Sequence, residues 1–159
     1  MRCSGTLPFM PIRRLVTWEE PFFHTPLDDV ESAVWTGVWA ALYSSKEWTV
    51  RESKWVDGLR SDNPDTLAGT KSLIIDLEDT NEDELSEPLK TLKPLFEEWL
   101  LIVREVSKKL RASLSDPADL PSDAEVQELC LPYFVKYLRQ GVDFLRKRGV
   151  YDDVVGVDV

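Results

Sequence analysis

The fold is decided by the stretch Asp28-Asp29-Val30-Glu31-Ser32-Ala33-Val34-Trp35-Thr36-Gly37-Val38-Trp39-Ala40-Ala41-Leu42-Tyr43. Its apolar residues recur at helical spacing: Val30, Val34, Trp35, Val38, Ala41 and Leu42. Ala33, Trp39 and Ala40 carry the apolar surface round to other faces. A helix that is apolar nearly all round is typically buried at the centre of a domain. We therefore predict a central buried helix over residues 28–43, with Asp28 as its N-cap and Glu31 in a capping-box variant.

Two shorter helices are predicted after this one. Residues 48–59 repeat Trp48, Glu52, Trp55 and Leu59 at spacings of four and three, and Asp57-Gly58 marks a frayed end. Asn63 is a good N-cap before Pro64 at the first helical position, and this helix extends to about residue 75.

Two longer amphipathic helices follow. The first carries an apolar stripe, and its regular part is predicted to begin near Pro94 because prolines interrupt the region before it. The second starts at a Ser122–Glu125 capping box, and Pro132 is expected to kink or split it. Their stripes are Leu92, Phe96, Trp99, Leu100, Val103, Val106, Leu110 and Leu114, and then Val126, Leu129, Cys130, Tyr133, Phe134, Tyr137, Leu138 and Leu145.

No pattern of paired strands is evident, so the predicted fold class is all-α. We divide the chain into a loop over residues 1–27, a helical domain over 28–149 and a flexible tail over 150–159.

Composition limits the possible partners. The chain has 159 residues, of which 43% are hydrophobic, and this favours one packed domain. A net charge of −10 argues against nucleic acid as a partner, because phosphate binding needs a basic face. No apolar run reaches the length of a membrane span, so we expect no membrane partner. Cys3 and Cys130 lie far apart and predict reduced thiols in an intracellular protein, cytoplasmic or nuclear.

The order of several short motifs carries a family resemblance. Gly5-Thr6 and Phe9-Met10 precede Asp28-Asp29-Val30-Glu31-Ser32, and Trp55, Gly58 and Lys71-Ser72-Leu73-Ile74-Ile75 follow. Over residues 2–75 this order resembles the end of the activation segment, and the large helix behind it, in the fungal-type protein kinase family. The resemblance implies that residues 1–27 are an activation-segment-like loop. It also implies that the helical domain is part of a protein-kinase-like large lobe.

The resemblance also implies roles for single residues. Gly5 and Thr6 would shape the floor under the substrate residue after the phosphorylated one, and Phe9 and Met10 would pack that loop on the lobe. Asp29 would hold the catalytic-loop backbone, Ser32 is the small polar residue one turn on, and Trp55 and Lys71 are structural. The chain departs from the common kinase pattern at Arg13, which stands where many kinases have a glutamate that pairs with an arginine of the lobe. The loop must therefore be anchored in another way.

The chemistry of phosphoryl transfer is missing from the sequence. It contains no Gly-rich loop, strand lysine, His-Arg-Asp loop or Asp-Phe-Gly triplet. We therefore expect a fragment of a fungal-type Ser/Thr protein kinase without catalytic residues and inactive as written. ATP and magnesium would be cofactors only with a missing upstream part. The alternative is a stand-alone helical protein-interaction module derived from a kinase lobe. The expected partner is a protein or the missing kinase small lobe.

Other candidate sites are weaker. The acidic run over residues 76–87 is interpreted as a solvated loop or a docking patch for basic partners. Asn81 replaces the glycine that a calcium loop needs at its sixth position, and Pro88 breaks the exiting helix, so we predict no metal site. His24, the one histidine, is expected to be structural, and Trp35 and Trp39 are interpreted as core rather than as a stacking platform.

Overall fold

A computed structural model describes residues 7–18, 24–76, 80–113 and 121–149, and the regular secondary structure of these ranges is all helical. Its elements are α1 (Ile12–Val16), α2 (Pro26–Ser44), α3 (Val50–Leu59), α4 (Pro64–Ile75), α5 (Glu87–Ser113) and α6 (Asp123–Lys147), with 3₁₀ turns at Leu7–Phe9 and Glu82–Glu84. No strand occurs in the described ranges, so the predicted all-α class is confirmed there. The proposed tail over 150–159, together with Gly5 and Thr6, lies outside the described residues.

Helix α2 begins earlier than predicted. Thr25 is the N-cap, Pro26 occupies the first helical position, and the Asp28 carboxylate accepts a hydrogen bond from the Thr25 backbone N–H at 2.6 Å. The prediction of Asp28 as the N-cap was therefore wrong by three residues. The buried stripe of α2 is confirmed, with Val34 and Leu42 fully buried. Ala33 and Ala40 are exposed, so the helix is covered on one side rather than all round.

The helices enclose two apolar cores around α2. Helix α2 packs on α5, α6 and the first 3₁₀ turn, α4 packs on α1, α3 and α5, and α5 packs on α6. The larger core draws on α1 to α5, with Trp35, Trp55 and Phe96 as its largest members. The smaller core joins the first turns of α2 to α5 and α6 through Val30, Ile102 and other residues.

The segment predicted as a loop before residue 28 contains regular structure. The 3₁₀ turn Leu7–Phe9 is followed by Pro11 as the N-cap of α1, and Leu15 of α1 is 1% exposed. Proline precedes this helix instead of interrupting it, which its fixed φ allows. The loop prediction is therefore wrong for residues 7–9, 12–16 and 26–27.

The prolines of α5 and α6 interrupt the chain less than predicted. Helix α5 starts at Glu87, not near Pro94, because Pro88 falls in the first turn, where a missing N–H costs nothing, and Leu89 packs in the core. Helix α6 is not split at Pro132, which lies on the exposed side, where water can bond the carbonyl left without a donor.

Helix α4 has the predicted N-cap, start and end, and α3 starts two residues later than predicted, after a Thr49–Glu52 capping box.

The apolar stripe of α6 is only partly buried. Val126 and Cys130 are buried, whereas Phe134, Leu138 and Leu145 are exposed. With Leu131 and Val135 these three form a continuous exposed surface, which we name the α6 face: Leu131, Phe134, Val135, Leu138 and Leu145. The predicted apolar stripe is therefore present on α6, and its outer part faces away from the two cores.

Candidate functional site

The first turn of α2 carries a buried carboxylate that receives three hydrogen bonds. Asp28 is 3% exposed, and its Oδ2 accepts from the Thr25 N–H at 2.6 Å and from the Thr25 hydroxyl at 2.9 Å. The same oxygen accepts from Arg13 Nη2 at 2.6 Å, which forms a salt bridge. Because both charged side chains are largely buried, this contact joins α1 to α2 with little screening by solvent.

A second buried carboxylate lies one turn further along α2. Glu31 is 4% exposed, and its Oε1 accepts from the Ile12 backbone N–H at 2.7 Å and from Trp35 Nε1 at 3.0 Å. The Ile12 N–H is one of the donors that the first turn of α1 leaves without an intrahelical partner. Glu31 therefore caps α1 from a neighbouring helix.

Lys71 of α4 completes the cluster from the other side. Its side chain is 0% exposed, its Nζ lies 4.6 Å from the centroid of the Trp35 ring, and it donates a hydrogen bond to the Met10 carbonyl. The Glu31 carboxylate attracts the Lys71 ammonium. We call Arg13, Asp28, Glu31 and Lys71 the buried ion cluster.

Burial shifts the proton equilibria of two members. Loss of solvation lowers the pKa of Lys71 from 10.5 to about 7, and the attraction of Glu31 opposes this shift. Loss of solvation raises the pKa of Glu31, and the hydrogen bonds from Trp35 and Ile12 oppose that shift. Both groups are thus moved toward their neutral forms.

The buried ion cluster holds the first segment at three places within four residues. It binds Met10 through its carbonyl, Ile12 through its N–H and Arg13 through its guanidinium. The cleft beside Arg13, Asp28 and Glu31 has a volume of about 10 Å³, at the lower limit for one water molecule. The polar groups of the cluster are bonded to the segment over residues 10–13 and to one another, so its geometry suits an anchor.

A row of aromatic rings lies next to this anchor and runs to the surface. Phe9 meets Trp39 edge-on at 5.9 Å, Trp39 stacks on Tyr43 at 4.8 Å, and Tyr43 meets Trp48 at 5.5 Å. Arg60 covers the end of the row, and its Nε donates to the Tyr43 hydroxyl at 2.7 Å. Because Trp39 is half-buried within this row, its assignment to the core was only partly right.

Of the residues that the resemblance singled out and the structure describes, all but Asp29 are buried or half-buried. Met10 is buried beside Lys71, and Phe9 packs on α2. Trp55 is buried in the larger core, and Ser32 donates to the Asp28 carbonyl at 2.7 Å. Asp29 is exposed and lies 3.3 Å from His24, so in this structure the buried aspartate of the pair is Asp28.

Three residues of the buried ion cluster were not predicted as such. Asp28 and Glu31 were interpreted as capping residues, and Arg13 as a departure from the kinase pattern. The signal for a buried charge was present in α4, where Lys71 falls on the same stripe as Leu67 and Ile74. A fully buried lysine is almost always paired with an anion, and α2 offers two carboxylates one turn apart.

No group of three or more potential ligands for a metal ion occurs in the described ranges. The helices of this part include none that is both long and apolar enough to cross a membrane. In the acidic run Glu82, Asp83 and Glu84 are exposed, and Glu84 pairs with Arg51, whereas Thr80 and Leu85 are buried.

No family model, curated protein or solved structure matches this chain.

Proposed function

We propose that the residues of this chain form the helical rear part of a fungal-type Ser/Thr protein-kinase large lobe. In this proposal they hold a protein segment in place and do not transfer phosphate themselves. The observation that supports this most directly is the attachment of Met10, Ile12 and Arg13 to α2 and α4 by the buried ion cluster. A bound peptide is positioned only as well as the backbone beneath it. A segment fixed at its base suits the role of a substrate floor, for which the resemblance supplies Gly5 and Thr6.

The proposal assigns no phosphate transfer to these residues alone. They contain none of the four kinase signatures for ATP, metal and base. ATP and magnesium enter the proposal only as ligands of a kinase part outside these residues.

Peptide binding tests the substrate floor. The purified chain is titrated against an immobilised library of Ser- and Thr-centred peptides, and a subset is expected to be retained. Thr6→Ala is expected to weaken that binding at least several-fold, because it removes a hydroxyl at the proposed floor. Val50→Ala, at a side chain 78% exposed on α3, is the matched control and should leave binding unchanged. Absence of binding to every peptide would refute the floor.

A phosphotransfer assay tests the other half of the proposal. The chain is incubated with radiolabelled ATP, magnesium and the same peptide library. No incorporation above the level of a boiled sample is expected, and phosphate transfer by the chain alone would contradict the assignment.

A second candidate function is a stand-alone helical interaction module. The observation that favours it is the α6 face, whose five apolar side chains are each at least 38% exposed. This candidate predicts a cooperative melt of the isolated chain, followed by circular dichroism. A non-cooperative melt with exposed apolar surface would count against it.

A further inference from the structure

The segment over residues 7–18 contributes little to the larger core. Of the buried residues described for that core, only Met10 and Leu15 belong to this segment, and the others lie between residues 34 and 103. Helix α1 has five residues. A helix of this length is not stable by itself, so α1 depends on its contacts with the rest of the domain. The other helices, in contrast, keep most of the larger core without it.

The polar attachment of this segment can be replaced by water. Its three anchors, at Met10, Ile12 and Arg13, each join one group of the segment to one group of the buried ion cluster on α2 or α4. When the segment moves away, water can bond both members of each pair. A part of the chain with few buried apolar contacts and replaceable hydrogen bonds is the part that opens before the rest of a domain.

Opening of this segment changes the hydration of Lys71. The Lys71 side chain is 0% exposed, and its ammonium is bonded to the Met10 carbonyl and lies over the Trp35 ring. Because the Met10 carbonyl belongs to the segment, its removal uncovers the ammonium. Water solvates an ammonium ion far better than a neutral amine. The charged form of Lys71 therefore favours the open segment, and the neutral form favours the closed one.

We propose that the segment over residues 7–18 is a strap that opens from α2 and α4 while the other helices stay folded, and that a proton on Lys71 favours its opening. The strap is closed most firmly when Lys71 is neutral. This device is a property of the fold. It goes beyond the proposed kinase role and holds whether or not the segment supports a bound peptide.

The two protonation states of Lys71 place the device in a defined pH window. Burial lowers the pKa of Lys71 to about 7 when the strap is closed, and exposure to water in the open state returns it toward 10.5. Between these values opening takes up a proton. The equilibrium constant for opening therefore falls with rising pH, by at most about tenfold for each pH unit.

Glu31 of α2 acts on the strap in the opposite direction. Burial raises the pKa of Glu31 above 4.5, so opening releases a proton in a window that begins at that value. A variant that lacks the Lys71 amine but keeps Glu31 separates the two effects. The comparison of this variant with the wild type is therefore the decisive measurement.

The charged and titratable groups of the other elements leave the window between pH 7 and 9 to this pair. Arg13 of α1 stays charged throughout. Cys130 of α6 interacts with Asp28, and burial raises its pKa from 9.0, so it keeps its proton below pH 9. The buried Glu52 of α3 is bonded to the segment after residue 84 instead. The α5 residues that line the cleft beside the cluster are uncharged.

Trypsin tests the strap, because it cuts after arginine only where the chain is locally unfolded. The full chain is incubated with trypsin between pH 7 and 9, and initial cleavage after Arg14 and after Arg104 of α5 is measured by mass spectrometry. Each rate is divided by that of a synthetic peptide with the same cleavage site at the same pH. Cleavage after Arg14 is expected to be at least tenfold faster than after Arg104, and it should fall at least tenfold from pH 7 to 9.

Two variants test the attachment. Lys71→Met should remove the fall of the Arg14 cleavage rate with pH, whereas Lys54→Met, at an exposed lysine of α3, should keep it. Arg13→Gln removes the charged anchor but leaves the cleavage site at Arg14. It should raise the rate at least fivefold at every pH without changing the dependence on pH. Circular dichroism of each variant checks that the helices are still folded.

Several results would overturn the strap. Cleavage after Arg14 that is no faster than after Arg104 means that the segment opens only with the whole domain. A rate for Lys71→Met that falls as steeply as that of the wild type removes the role of the lysine proton. Should Lys71→Met fail to fold, a wild-type rate that is constant from pH 7 to 9, or a rate unchanged by Arg13→Gln, overturns the proposal in its place.

Discussion

The pH dependence of folding gives a direct test of the buried ion cluster. Lys71 has a pKa of about 7 in the folded chain and 10.5 as its ordinary value. Between these values the folded state has released a proton that the unfolded state still holds. The free energy of unfolding therefore rises with pH across this window. Each pH unit contributes at most about 1.4 kcal/mol, so Lys71 adds up to about 5 kcal/mol between pH 7 and 10.5.

Lys71→Met should remove this rise of the unfolding free energy with pH. Methionine fills most of the same space but has no proton to release, and the Met10 carbonyl loses its donor. The lost hydrogen bond shifts the stability by a constant, about 1–3 kcal/mol, whereas the proton equilibrium changes its slope with pH. The expected result is a difference between wild type and variant that grows from pH 7 to 10.5 in favour of the wild type.

Glu31→Gln tests the partner of Lys71. The amide keeps an oxygen that can accept from Ile12 and Trp35, so the change removes mainly the charge. The raised pKa of Glu31 makes the free energy of unfolding fall with rising pH in a window above 4.5, because the folded state keeps its proton longer. The variant should lose this fall. Without the Glu31 anion the pKa of Lys71 decreases further. The rise of the unfolding free energy that Lys71 causes should therefore begin at a lower pH.

The assay is urea unfolding followed by tryptophan fluorescence at half-unit steps of pH. Lys54→Met, at an exposed lysine of α3, is the matched control and should run parallel to the wild type. Parallel curves for wild type and Lys71→Met above pH 7 would refute the buried, deprotonating lysine.

Further predictions concern the packing of α3. A Cβ at Gly58 would lie 2.1 Å from Thr70 Oγ1, so Gly58→Ala should destabilise the chain by about 1–3 kcal/mol in urea unfolding. Gly69→Ala has nothing within 4 Å and should stabilise α4 by about 0.5–1 kcal/mol, and equal effects of the two would contradict this account. Glu52 is fully buried and accepts from the Ser86 N–H at 2.8 Å, so Glu52→Ala should cost more than Glu52→Gln, about 2–4 kcal/mol against about half of that. Equal losses for the two Glu52 variants would contradict this account.

The sequence predicted the helices where one local rule dominates and failed where tertiary contacts compete with it. Helix α4 was placed correctly because Asn63-Pro64 allows only one start. The predicted start of α5 lay too far along the chain because only the cost of Pro94, about 3 kcal/mol, was considered. Leu89 precedes Pro94 and is buried in the core, and its burial favours the earlier start. The end of α3 at Leu59 was predicted correctly from Asp57-Gly58, but the close approach of Thr70 of α4 to Gly58 could not be predicted from local sequence.

The candidate site was harder to predict for a similar reason. A carboxylate in the first turn of a helix is explained locally by capping and by the helix dipole, so nothing in α2 alone distinguishes Asp28 and Glu31 from ordinary surface residues. Their burial depends on α1 and α4, which lie 15 and 40 residues away from them along the chain. Lys71 was singled out only through the family resemblance, and its contact with Met10 joins residues that are 61 positions apart.

The buried ion cluster accounts for the departure at Arg13 under the proposed kinase ancestry. Where many kinases place a glutamate on the segment and an arginine in the lobe, this chain places Arg13 on the segment and Asp28 on α2. The other two anchors use the carbonyl of Met10 and the N–H of Ile12, which are present whatever side chains stand there. Only the third anchor depends on the identity of a side chain in the segment. On the proposed ancestry, the pairing of Arg13 with an aspartate in the first turn of α2 keeps the segment attached without the common ion pair.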